Sequence, residues 1–391
     1  MAVTGSETVW GPPKHPKRHG GGGGGYQPIN IDLTAWKPAG IKQQWYGDIT
    51  VGTPPQTFKV LFDTGAPFTL LPRDTCTNCG AQHSLFSPST SSTFSGQPGF
   101  PLEVFFGTSA GQPEGANCTV VADTMRMAGR SALQQQFLLC DTYSEGLRVH
   151  TPDGLFGLGS TLDNGWYGQN ASFKAAYWQL VENGQLPRPE FSFAFVGNGQ
   201  RDGVLTIGGT DPSLYRKHTL RKVPLDWPLS ESRNRWVVPV TSAKIGGHRL
   251  NNSSNAVALV DTGTPNMVTP DWETAVEIYG RMSRRIVPID DVGTWGAPCA
   301  VLDRVACEVW FTLGSGADRV KVYLKKQHMN TGEVPGKPGI CAAIFASPLQ
   351  GFPSREPTQG RPAWIFGNKL LKGYYTVWNG ADRTLGWAQL R

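Results

Sequence analysis

Two stretches of this chain place the same three residues behind the same kind of segment: Val60-Leu-Phe-Asp63-Thr64-Gly65 and, in the second half, Ala258-Leu-Val-Asp261-Thr262-Gly263. Each is an apolar run, suited to a buried strand, that ends in an acid, a hydroxyl and a glycine. A carboxylate delivered to the interior is costly unless something pairs with it or uses it. If the two loops meet, two carboxyls share one polar pocket and cannot both ionise cheaply, so one pKa falls and the other rises. Such a pair can act on water: one group is the base for it while the protonated partner polarises a carbonyl. Gly65 and Gly263 permit the tight turn that points Asp63 and Asp261 inward. Thr64 and Thr262 are placed to tie the loops together, and the Thr264 hydroxyl to support the Asp261 carboxylate. Asp and Gly are ordinary turn formers, which accounts for one copy. An Asp-Thr-Gly triplet arises by chance about 0.1 times in a chain of this length, so two copies behind matched strands argue for a shared site.

The elements that must position these acids read as strands. Trp45 to Val51 alternates and breaks at the turn Gly52-Thr-Pro-Pro55, and Phe58 to Phe62 delivers Asp63, which makes a hairpin. A second apolar run, Phe68 to Leu71, follows. Leu102 to Phe106 enters the glycine-containing stretch Gly107 to Gly111, and Thr119 to Met127 returns, a second hairpin with a tip able to close over a site. Phe173 to Glu182 is the first amphipathic helical pattern. The order then restarts: Trp236 to Ile245 reads as strand, Ala256 to Val260 delivers Asp261, and Trp272 to Met282 reads as helix. Gly154-Leu-Phe-Gly157 is echoed by Trp364-Ile-Phe-Gly367, so each half carries an apolar-apolar-Gly element to pack beside its acid loop. This is the signature of a diverged duplication.

Composition bounds the remainder. The 391 residues suit two lobes better than one core, and 48 Gly with 30 Pro but only 17% charged residues describe many short strands and turns. The net charge of +6 is partly spent in Lys14-His-Pro-Lys17-Arg18-His19, without the basic stripe interleaved with aromatics that nucleic acid requires. No run of 18 apolar residues is present, and no signal peptide is visible. Residues 1–25 end in six glycines, Gly20 to Gly25, and read as a linker, a tag or the remnant of a pro-segment cut near Lys17-Arg18. Sequons at Asn117, Asn170, Asn251 and Asn252, together with the cysteine spacing, point to a secreted or vacuolar glycoprotein. Cys76 and Cys79 favour a local disulfide over a zinc site, since His83 alone cannot complete the ligand set. Cys118 and Cys140 can be bridged if their strands are neighbours. No Gly-x-Ser-x-Gly elbow, His-Glu-x-x-His pair or phosphate loop occurs, and the seven histidines are scattered.

Taken in order, these motifs resemble the pepsin-like aspartic proteases from about Trp45 to the C-terminus. The resemblance is carried by Tyr46-Gly-Asp-Ile-Thr-Val-Gly-Thr-Pro-Pro55, both Asp-Thr-Gly loops, and the Cys76/Cys79 loop before Phe86-Ser-Pro88. It continues through Asp153-Gly-Leu-Phe-Gly-Leu-Gly159, Leu205-Thr-Ile-Gly-Gly209, Ile365-Phe-Gly367, Tyr374-Tyr-Thr-Val-Trp378 and Leu385-Gly-Trp-Ala388. It implies an all-β, bilobal fold of two pseudo-symmetric, barrel-like lobes with a few short helices and a central cleft. The N-terminal lobe would span 26–210 and the C-terminal lobe 211–391. It further implies Asp63 and Asp261 as catalytic acids, Thr64, Gly65, Thr262, Gly263 and Thr264 as their support, and Phe106, Gly107 and Thr108 as a flap over an extended peptide substrate. A monomer without metal or organic cofactor completes the expectation. A late bridge from Cys299 or Cys307 to Cys341 is also implied, with Cys299 the better fit and Cys307 then left free.

Three departures from the family pattern stand out. Ala66 replaces the usual Ser or Thr after the first Asp-Thr-Gly, removing a donor to Asp63, which should raise the pKa of the pair. Phe106 and Leu70 replace a tyrosine and a tryptophan that share a hydrogen bond in the family, and losing both leaves neither orphaned. Pro67 and Pro265 stiffen the two loops. These changes support a rival expectation, a pepsin-fold binding protein with weak or no proteolysis, against which stands the intact acid pair.

Overall fold

The computed structural model describes residues 27–36, 43–96, 101–109, 112–160, 165–167, 171–196, 202–348, 350 and 358–391. The N-terminal tail, Asn170 of its sequon, and positions 110–111 at the tip of the second hairpin lie outside these. The first hairpin forms as the alternation predicts, from Gln44–Val51 and Gln56–Asp63 with Tyr46 opposite Leu61. Gly52 turns the chain at φ 91°, a conformation that favours glycine. Val60, Leu61 and Phe62 are all buried, because the second strand is covered on both faces, as strands with parallel neighbours usually are.

That neighbour is Gly154–Gly157, which runs parallel to Gln56–Asp63 and sets Gly157 opposite Asp63. The second half repeats the device. Ala256–Val260 runs parallel to Ala363–Phe366, with Val260 opposite Phe366, and the Asp261 N–H donates to the Phe366 carbonyl at 3.0 Å. The duplicated apolar-apolar-Gly segments therefore flank the acid strands in both halves.

Among the described residues a thirteen-stranded sheet joins Arg221–Pro224, Thr384–Ala388, Tyr375–Asn379, Glu190–Ala194, Gly203–Ile207 and Ile29–Trp36 to the first hairpin and its neighbours. Gln44–Val51 also pairs with Gln112–Met127, which curls this half toward a barrel. An eight-stranded sheet carries Ala256–Val260 in its middle. The architecture is all-β and bilobal, with short helices at its margins. Beneath the acid loops lies an aromatic core in which Phe191 and Trp236 meet edge to face and Phe191 stacks on Trp378. All three are fully buried. The indoles of Trp178 and Trp236 donate to the carbonyls of Gly159 and Leu158, both at 2.7 Å, so this core also fixes the chain just beyond Gly157.

The helix expected over Trp272 to Met282 is observed with those bounds, capped by the Asp271 carboxylate accepting the Thr274 N–H at 2.7 Å. The helix expected from Phe173 starts later, at Ala176–Glu182, because Ala171–Phe173 is held as a strand against Gly165–Tyr167. Three disulfides form: Cys76 to Cys79, Cys118 to Cys140 across adjacent strands, and Cys299 to Cys341. Cys307 is a free, half-buried thiol.

Candidate active site

Asp63 is the last residue of its strand, and Asp261 is the first residue after its own. From there each loop turns back on its acid in the same way. The Gly65 N–H donates to Asp63 Oδ1 at 2.7 Å, and the Gly263 N–H donates to Asp261 Oδ1 at the same distance. The threonines between acid and glycine cross from one loop to the other. The Thr64 N–H donates to Thr262 Oγ1 and the Thr262 N–H to Thr64 Oγ1, both at 3.0 Å. Their hydroxyls donate onward to strand carbonyls of the opposite half, Thr64 to Val260 at 3.1 Å and Thr262 to Phe62 at 2.6 Å. Both threonines are buried, so each of these bonds is made where losing it would leave an unsatisfied group. The lattice sets the spacing of the two acids.

Glycine is required here for close approach. A Cβ on Gly65 would lie 2.6 Å from the Asp261 carboxyl, and one on Gly263 would lie 2.5 Å from that of Asp63. Each loop thus presses its bare backbone against the other loop's acid. Burial holds Asp63 well above the ordinary carboxylate range, and the neighbouring Asp261 carboxyl pushes in the same direction. The Gly65 N–H and the positive charge of Arg235 work against them.

The loops differ at their fourth residue. Thr264 Oγ1 donates to Asp261 Oδ2 at 2.7 Å, whereas the equivalent Ala66 is buried and contributes only a methyl group. Asp261 therefore receives two donors from its own loop and Asp63 one. Sequence reasoning found this asymmetry but missed two residues that brace the second loop. The Gln44 side chain donates to the Gly263 carbonyl, and the Asn368 side chain donates to the Thr262 carbonyl at 2.8 Å. Asn368 directly follows the Phe-Gly of the second apolar-apolar-Gly element, a position that could have pointed to it. Gln44 bears no local signal.

The hairpin expected to act as a flap forms from Pro101–Ser109 and Gln112–Met127, bulged between Phe105 and Gly107. Phe105 faces solvent at 62% exposure. Phe106 turns inward, its ring 6.1 Å from that of Phe68, and joins the apolar cluster containing Leu70 and Leu155. The residues at 70 and 106 thus belong to one continuous apolar cluster. Gly107 pairs with Glu114 and Thr108 with Pro113, so the backbone of the hairpin continues toward its tip. Among the described residues no cluster of His, Cys, Asp and Glu could hold a metal ion.

The model of the family described as eukaryotic aspartyl protease matches residues 44–390. The chain is 28% identical over 354 residues to a pregnancy-associated glycoprotein of Equus caballus, covering 88% of this chain and 80% of the relative. It is 24% identical over 352 residues to pepsin-2B of Gadus morhua, covering 88% and 95%. With rhizopuspepsin-1 of Rhizopus niveus the identity is 27% over 339 residues, covering 86% and 76%.

Proposed function

The chain belongs to the eukaryotic aspartyl protease family, and from that premise we propose that it is an aspartic endopeptidase in which Asp63 and Asp261 activate water. The observation that carries the proposal is the meeting of two acid loops, each acid held by its own glycine N–H, each glycine pressed against the other loop's carboxyl, and the loops joined by the crossed threonines. Asp63, its carboxyl raised by burial and by Asp261, holds the proton and gives it to the oxygen of the scissile carbonyl. Asp261, with donors from Gly263 and Thr264, is the anion that takes a proton from water as the water oxygen attacks the carbonyl carbon. The tetrahedral intermediate then breaks its C–N bond as the nitrogen takes the proton from Asp261 and one hydroxyl of the intermediate returns its proton to Asp63, which restores the pair.

An extended peptide would lie across this pair, with Phe106, Gly107 and Thr108 of the hairpin covering it and alternate side chains entering separate pockets. The apolar side chain of Phe106, packed partly exposed on the cluster of Phe68 and Leu70, supports apolar residues near the cut bond. Three disulfides support an oxidising, secreted or vacuolar setting, and Asn117 and Asn251 are exposed at their sequons.

Cleavage of a mixed peptide library, scanned from about pH 3 to 7, tests the proposal. Turnover is expected to be bell-shaped, ending on the alkaline side as Asp63 loses its proton, and to be blocked by a peptide mimic of the tetrahedral intermediate. Tight binding of that mimic without cleavage at any pH would instead establish a pepsin-fold binding protein.

Ala66→Ser refines the test. A hydroxyl at 66 would stand to Asp63 as Thr264 stands to Asp261, donating to the ionised carboxyl and lowering its pKa. The alkaline limb should therefore move to lower pH while the acid limb changes less. An unmoved alkaline limb would remove Asp63 from the role of proton donor.

A further inference from the structure

His150 is a buried residue that the proton transfers do not use, and its backbone is fixed without help from its ring. Its N–H donates to the Leu147 carbonyl at 3.1 Å. Its carbonyl accepts from His83 Nε2 at 2.7 Å and from Gln82 Nε2 at 3.2 Å. The imidazole is left for other partners. Its Nε2 lies 3.2 Å from Glu114 Oε1, with the two side chains only 5% and 19% exposed. An ionised carboxyl can only accept, so Nε2 carries the proton of this bond. The Trp36 ring packs on the same imidazole, 4.6 Å between centroids. The nearby charges of Glu145 and Arg148 are paired with each other.

Both contacts of the ring lead toward the site. Glu114 lies on the return strand of the hairpin, opposite Gly107, one of the residues proposed to cover the peptide. The next residue, Gly115, is clamped through its backbone: its N–H donates to Ser144 Oγ at 2.8 Å, and its carbonyl accepts the Ser144 N–H at 2.9 Å. Ser144 thus holds the hairpin up to Gly115, and the Glu114 side chain carries the attachment one residue nearer the tip. In the other direction, Trp36 pairs with Gln44, whose side chain donates to the Gly263 carbonyl of the second acid loop. A continuous set of contacts therefore runs from Gly263 through Gln44, Trp36, His150 and Glu114 to Gly107.

We propose that His150 is a positioning residue: it holds the hairpin in place relative to the acid loops and thereby sets how tightly a peptide is bound. This rests on the reading of that hairpin as the cover of a peptide substrate. A hydrogen bond to a charged group is strong where water is excluded, and both side chains here are largely withdrawn from solvent. Without it the hairpin loses its side-chain attachment opposite Gly107, and Phe106, Gly107 and Thr108 spend more time away from the peptide. Substrate and tetrahedral intermediate are covered alike, so the loss falls on affinity and KM and leaves kcat largely unchanged.

Three variants test this. His150→Leu removes the donor, Glu114→Ala removes the acceptor, and His150→Gln keeps a donor at a reach similar to that of the imidazole Nε2. Hydrogen exchange of the ligand-free protein reads the hairpin directly. His150→Leu and Glu114→Ala should each speed exchange of the amides of 101–109 about tenfold, with the rest of the chain little changed, and His150→Gln should stay within about twofold of the parent. Affinity for a peptide whose scissile amide is reduced should fall about tenfold in the first two variants, with KM rising to match and kcat within about twofold. The variant carrying both His150→Leu and Glu114→Ala should lose no more than either alone, because one interaction is removed in each case. The proposal is overturned by parental exchange in His150→Leu, by faster exchange spread over the whole chain, by losses that multiply in the double variant, or by parental affinity despite a loosened hairpin. If no peptide is bound or cleaved the endopeptidase reading falls, and the exchange rates still decide whether His150 holds the hairpin.

Discussion

Asp63→Asn is expected to lower peptide hydrolysis by at least about 10³-fold and, at the same time, to make the protein more stable than its parent toward neutral pH. The first effect follows because an amide cannot give up a proton to the scissile carbonyl. Asparagine otherwise fits the site: its oxygen accepts the Gly65 N–H that Asp63 Oδ1 now receives, and its NH₂ faces Asp261. The loss should therefore appear in kcat, with affinity for a non-cleavable peptide largely kept.

The second effect follows from the direction of the pKa shift. Burial, and then Asp261, raise the Asp63 carboxyl above its ordinary value of 3.8. Between that value and the raised one, the folded chain holds a proton that the unfolded chain has released. Stability contributed by this group is complete below the ordinary value and is lost as pH rises through the window. Asparagine has no proton to lose there. Thermal unfolding at a series of pH values should give matching curves for the two proteins in acid and a growing advantage for the variant above it. Parallel curves would mean that Asp63 is not held protonated, and the assignment of donor and base would have to be exchanged.

The acid loops were legible in the sequence because each is local: strand, acid, hydroxyl and glycine lie within a few residues, and the duplication supplies an internal control. The same holds for the Trp272–Met282 helix, whose cap and periodicity lie within its own span. Contacts whose partners are far apart in the chain were not legible from spacing alone. Gln44 reaches Gly263 and Asn368 reaches Thr262. The late start of the helix at Ala176 has the same cause: the pattern from Phe173 onward is helical, but ladder bonds to Gly165–Tyr167 hold its first residue. The disulfide partner of Cys341 was narrowed only by family resemblance, and the structure assigns it to Cys299 through strands that bring Ala297 opposite Cys341.

Two glycines one strand apart should fail in different ways when changed to alanine, and the difference probes how the site is built. At Gly263 the added methyl would meet the carboxyl of Asp63, the end of a side chain that can rotate aside. The protein should fold, but with its acids forced apart and the shared proton lost, so hydrolysis should fall by at least about 10²-fold while unfolding changes little. At Gly367 the methyl would lie 2.0 Å from the Asn266 carbonyl oxygen and 2.3 Å from that of Thr264. Those are backbone atoms, and they are fixed at both ends. Thr264 bears the hydroxyl on Asp261, and its carbonyl accepts the Asn368 N–H at 2.8 Å, while Met267 is already in the sheet opposite Phe366. Relief requires the second acid loop to move as a unit, so Gly367→Ala should destabilise the protein by about 3 kcal/mol or more. Denaturant unfolding alongside peptide turnover separates the two cases. Equal loss of stability at both positions would mean that the crossed-threonine lattice yields as one piece with the sheet, and that spacing of the acids is a property of the whole core instead of the two loops.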